Sequence, residues 1–151
     1  MSREHAAFAV LIGLQAVSSI FDIRSYRIPN MVVYPGMLAG LILTWHGFPD
    51  LWGKLAFILL FDVLAVLFPM GGAGDIKLIM MTACFLGPMP AVYAALAAGL
   101  SLLALVFIRS PARLWLFIMT GRIPPDGKKY AFAPFILFGT LLVGGYICIN
   151  G

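Results

Sequence analysis

The sequence predicts an all-α integral membrane protein: a bundle of six transmembrane helices with an interfacial amphipathic segment between the fifth and the sixth. Three observations lead there. Hydrophobic residues make up 62% of the 151 positions and charged residues only 11%, more apolar side chain than a soluble domain of this size can bury. The apolar residues fall into six separate runs instead of one. The basic residues between those runs collect in alternate loops, as they do in multi-pass membrane proteins. At this length the chain reads as one domain, residues 1–151.

The first run extends from Ala6 to Phe21. It resembles a secretory signal, but Arg3 is offset by Glu4 and the apolar stretch continues through Ile20, so it reads as a retained first span. The second run, Met31 to Trp45, is marginal against the roughly 20 residues that a bilayer crossing needs. The third, Leu51 to Phe68, is broken by Lys54 near its start and Asp62 in its middle. The fourth, Ile76 to Leu86, is short, and from Asp75 to the Gly87-Pro88 turn a helix reaches only about 20 Å. Gly72 and Gly74 just ahead of Asp75 read as a helix broken at the floor of a wet pocket, because irregular backbone at membrane depth must line a cavity or lie within protein. The fifth and sixth runs, Ala91 to Ile108 and Ala131 to Ile149, hold no charge.

Loop charge sets the orientation. With six spans, Arg24, Arg27, Lys77, Arg109, Arg113, Arg122, Lys128 and Lys129 share one side, against Arg3 and Lys54 on the other. Eight against two places both termini outside and both Asp22 and Asp75 toward the cytoplasm. Between Arg109 and Tyr130, basic residues mix with Leu114-Trp115-Leu116-Phe117 before Pro124-Pro125-Asp126-Gly127. That stretch reads as a helix lying on the bilayer, either a lid over the site or a plain connector.

Composition also excludes functions. The excess of basic residues belongs to loop topology, and no base-reading motif accompanies it, so nucleic acid is not an expected partner. Cys84 and Cys148 stand 64 residues apart in apolar runs, and His5 and His46 are the only imidazoles. Neither a metal site nor a disulfide framework is indicated, and no cofactor is expected.

Two carboxylates on one membrane side carry the chemistry. Hydrolysis of a peptide by an aspartyl pair needs one carboxylate to activate water while the other holds a proton. Asp22 closes the first apolar run, where the helix dipole disfavours negative charge; Asp75 opens the fourth, where a plain capping role is the alternative. On that asymmetry Asp22 is the acid and Asp75 the base. Around them Gly72, Gly74, Lys77, Arg24, Arg27 and Asn30 are expected to support the pocket or substrate. The two arginines otherwise serve only orientation, and Lys77 otherwise reaches for headgroups. Asp62, in mid-span, is expected to face the bundle interior, neutral or hydrogen-bonded, and to support the site from behind.

These residues resemble a known family. Asp22-Ile23-Arg24-Ser25-Tyr26-Arg27-Ile28-Pro29-Asn30 and Gly72-Ala73-Gly74-Asp75-Ile76-Lys77-Leu78, with Phe85-Leu86-Gly87 and Ala133-Pro134-Phe135, resemble the bacterial type IV prepilin peptidases. The resemblance implies an intramembrane aspartyl endopeptidase with Asp22 and Asp75 as the catalytic pair. It also implies cleavage of prepilin leaders on the cytoplasmic side, after a Gly. Larger members carry a Cys-x-x-Cys region associated with methylating the new amino terminus. Nothing corresponding stands in this sequence, which is similar to the short peptidases of tight-adherence (Flp) pilus systems; methyl transfer is not expected. The implied substrate pairs a basic leader with a hydrophobic helix. Since the protein's cytoplasmic side is basic too, anionic membrane lipid is the expected recruiter of that leader. Two rivals stand beside the enzyme. A proton-coupled transporter would show repeat symmetry and acids in both halves, and a non-catalytic assembly protein would dock pilin helices in the same groove.

Overall fold

A computed structural model of the chain describes residues 3–45, 47–67, 73–109 and 131–150. Among the described residues all regular structure is α-helical, in six helices: α1 (Arg3–Ser25), α2 (Asn30–Leu43), α3 (Phe48–Leu67), α4 (Ala73–Leu86), α5 (Pro88–Arg109) and α6 (Ala133–Asn150). Each coincides with one of the six apolar runs. Gly72 and the interfacial segment expected beyond Arg109 lie outside the described residues.

α1 starts ahead of its apolar run because Glu4 in its first turn and Arg24 in its last turn both match the helix dipole. It also runs past Asp22 to Ser25. It stops at Tyr26, whose φ of 51° is left-handed and whose N–H donates to the Asp22 carbonyl at 2.9 Å, the closing bond of a left-handed C-cap. The buried face of α1 changes character along its length. Ala7 and Leu11 are followed by Gln15, Ser18, Ser19 and Asp22, a polar stripe at helical spacing. α2 begins at Asn30 with Pro29 as its N-cap. α4 and α5 meet without a loop, since Gly87, at φ 91°, makes the turn by itself.

α4 is the axis of the bundle. It packs against all five other helices, and Leu78, Met80, Met81, Thr82, Cys84 and Phe85 along it are buried. A helix apolar on every side is stable when it is sheathed on every side, which explains how 14 residues suffice there. α5 and α6 form the most extensive pair, brought close by small residues: a Cβ on Gly139 would strike the backbone carbonyl of Ala94. Without a hydrophobic force between helices in lipid, such close approach is what holds them together. α3 lies at the edge, against α4 and α5.

The expectation of six spans is met only in part. α1 and α5 are the described helices long and apolar enough to cross a membrane; α2 and α4, at 14 residues each, extend about 21 Å, short of a hydrocarbon core of about 30 Å. Lys54, at the start of α3, is buried. Its ammonium sits 2.8 Å from the Asp50 carboxylate, 2.9 Å from Thr44 Oγ1 and 3.2 Å from the Thr44 carbonyl. Thr44 closes α2, so the lysine binds the negative end of that helix dipole.

Candidate active site

α1 and α4 pack together and run in opposite senses, so the last turns of α1 and the first turn of α4 fall at one end of the bundle. Asp22 lies in the former and Asp75 in the latter. They are close enough for the charge of Asp22 to act on Asp75. Asp22 is buried, at 6% exposure, and Asp75 is half-buried. One carboxylate is thus enclosed and its neighbour reachable from the surface.

Asp22 is also tied to a third helix. Its Oδ2 accepts the backbone N–H of Ala133, the first residue of α6, at 3.0 Å. The first N–H groups of a helix have no partner within it, so a carboxylate is an apt acceptor there. This offsets the premise from which acid and base were assigned. Asp22 does lie in the last turn of α1, but its carboxylate also meets the N-terminus of α6, while Asp75 sits in the first turn of α4. Both carboxylates then feel the positive end of a dipole, and helix position alone no longer assigns acid and base.

The turn that carries Asp75 is pinned to the segment after α1. A Cβ on Gly74 would come within 3.1 Å of the Ile28 side chain, so glycine lets the two backbones approach. Lys77 Nζ donates to Asn30 Oδ1 at 2.8 Å and lies 5.3 Å from the centre of the Tyr34 ring, within cation–π range. Lys77 thus pairs with neither carboxylate; it clamps the start of α4 to the start of α2. Arg24 and Arg27 are exposed. Asp62 is exposed on α3 as well, which overturns its expected place inside the bundle. The peripheral position of α3 is the reason, as this helix has few inward faces to offer. A cavity of about 230 Å³ opens at the opposite end, lined by Glu4, His5, Asp50 and Lys54 among others. Glu4 precedes Asp22 by 18 residues, about 27 Å of helix, so that cavity is separate from the carboxylates.

The sequence profile of the type IV leader peptidase family matches residues 9–108, which include Asp22, Asn30, Gly74, Asp75 and Lys77. The chain belongs to that family. No match was found among curated proteins or solved structures. Membership makes the protein a peptidase of the leader-peptidase kind. The family match ends before α6, so the Ala133 contact lies beyond it. Sequence reasoning missed that backbone donor, since a main-chain N–H leaves no residue signature. It also missed the polar stripe Gln15, Ser18, Ser19 and Asp22, although the 3- and 4-residue spacing was there to read.

Proposed function

We propose that this leader peptidase is an intramembrane aspartyl endopeptidase that removes the leader of Flp-like type IV prepilins after a Gly, at the cytoplasmic face of the bacterial inner membrane. The observation that carries the reading is the placement of Asp22 and Asp75 at one end of the bundle, in the last turn of α1 and the first turn of α4, with the Asp22 carboxylate against the first N–H of α6. One carboxylate takes a proton from water as the oxygen attacks the scissile carbonyl carbon. The other gives its proton to the carbonyl oxygen. Collapse of the tetrahedral diol breaks the C–N bond, and the amine leaves with a proton. Two carboxylates in one site do not both stay ionised, so the pair supplies one base and one acid without a metal.

Six spans with outward termini remain the best account of the eight-to-two distribution of basic loop residues. α4 needs no full crossing because protein sheathes it, and local thinning of the bilayer accommodates a short α2. The basic loops favour anionic lipid on the side where a basic leader must dock. Methyl transfer is not part of the reading, because the two cysteines form no Cys-x-x-Cys pair. The test is purified protein in detergent with a prepilin whose leader ends in Gly. Cleavage at that Gly, abolished by Asp75→Asn, is the expected result. A folded wild-type protein that binds the prepilin and never cuts it would instead make the chain a docking protein.

A further inference from the structure

Beneath the two carboxylates lies a second polar layer that the reaction does not use. Gln15 of α1 is fully buried, and its side-chain nitrogen donates to Thr82 Oγ1 of α4 at 2.8 Å and to Thr140 Oγ1 of α6 at 3.0 Å. Both threonine hydroxyls donate to their own helices, Thr82 to the Leu78 carbonyl and Thr140 to the Ile136 carbonyl, each at 2.8 Å. Their protons are thereby committed, so toward Gln15 they act as acceptors.

The three helices joined in this node are the three that build the site. α1 supplies Asp22, α4 supplies Asp75, and α6 supplies the Ala133 N–H. On each of them the site group and the node group are seven residues apart: Gln15 and Asp22, Asp75 and Thr82, Ala133 and Thr140. Seven residues are two turns, so both groups lie on nearly the same face, about 10 Å apart along the axis. α1 runs toward the site while α4 and α6 run away from it, and all three helices touch one another. The bundle therefore stacks two triangles on the same three helices, one reactive and one of amide and hydroxyls.

We infer that Gln15, with Thr82 and Thr140, is a positioning residue for the peptidase. The node fixes the rotation and depth of α1 against α4 and α6, and so sets where Asp22 stands relative to Asp75 and Ala133. Apolar packing in lipid leaves helix rotation and sliding weakly determined, whereas an interior polar contact has one register. Stability alone does not explain the node. Gln15 Oε1 is buried with no hydrogen-bond partner, and a partly satisfied polar network folds less well than an apolar core of the same shape.

The inference rests on the aspartyl-peptidase reading, and the test separates the two. Thr82→Val and Thr140→Val keep the side-chain shape and delete the acceptor; Thr82→Ser and Thr140→Ser keep it. Each valine variant is expected to lower kcat about tenfold with KM within about twofold, since misplacing reacting groups by about 1 Å can cost up to about a hundredfold. The serine variants are expected to retain wild-type kcat. Melting temperature is measured alongside, and Gln15→Met repeats the test from the other partner. Wild-type kcat in folded Thr82→Val and Thr140→Val, or a loss confined to KM, would overturn the positioning role. Full activity in Asp22→Asn would overturn the aspartyl reading itself, whatever the threonine variants do.

Discussion

Replacing Asp22 by Asn and by Ala separates the chemistry of this residue from its place in the fold. Asn retains an oxygen able to accept the Ala133 N–H, now held at 3.0 Å. It gives up only the difference between a charged and a neutral hydrogen bond, about 1 kcal/mol. Ala leaves that buried N–H without a partner, at about 1–3 kcal/mol on top of the lost bond. At this chain length each kcal/mol moves the melting temperature by about 2–4 °C. Asp22→Asn is expected to melt within about 4 °C of the wild type, and Asp22→Ala clearly lower. Both lose general acid–base catalysis at this position, so cleavage should fall by at least about 10²–10⁴-fold in each. The assay is thermal unfolding in detergent beside prepilin cleavage followed on gels. Near wild-type cleavage by Asp22→Asn would refute the catalytic assignment. Equal melting temperatures for the two variants would refute the structural one, because Ala133 would then have lost nothing.

Gly139→Ala should lower stability by about 1–3 kcal/mol, since its new methyl group meets the backbone of Ala94 and backbone cannot swing aside; Gly145→Ala, with open space around it, should leave the melting temperature unchanged or raised. Lys54→Met should destabilise the end of the bundle away from the site by about 1–3 kcal/mol, less than for a fully buried pair because Asp50 is 36% exposed and can hydrate. Its cleavage rate at a temperature where it is folded should match the wild type. Asp62→Asn, an exposed position, should keep cleavage within about twofold and stability within about 0.5 kcal/mol; a tenfold loss of rate would return Asp62 to the site.

All six helices were legible as apolar runs, and α1, α3, α4 and α5 each start three residues ahead of their runs, whereas α2 stops two residues short of its run's end and α6 starts two residues inside its run. Apolarity marks where a helix is buried, whereas hydrogen bonding decides where it stops. Glu4 and Arg24 extend α1 because charge at the right end of a dipole favours the helix. The two carboxylates stand out in the sequence, Asp75 by the glycines before it and Asp22 by its place at the end of an apolar run. The burial of Lys54 was not legible, as its acceptor Thr44 belongs to another helix and only packing brings them together. Asp62 went wrong for a related reason. A mid-run acid is expected inside when every helix has an inside, and α3 is an edge helix.

The enclosure of α4 bears on how the protein is made. A segment of 14 residues offers the insertion machinery a weak signal, and its stability in the membrane comes from helices on both sides of it in the sequence. α1, α2 and α3 are synthesised first and can receive it on one flank. The other flank is closed by α5, which follows directly through Gly87, and by α6, synthesised last. Until α6 arrives, Gln15 lacks its Thr140 acceptor and Asp22 lacks the Ala133 N–H. That end of the bundle is therefore completed only when the final helix docks, and a nascent chain stopped short of it holds Asp75 pinned to α2 but Asp22 without its main-chain donor.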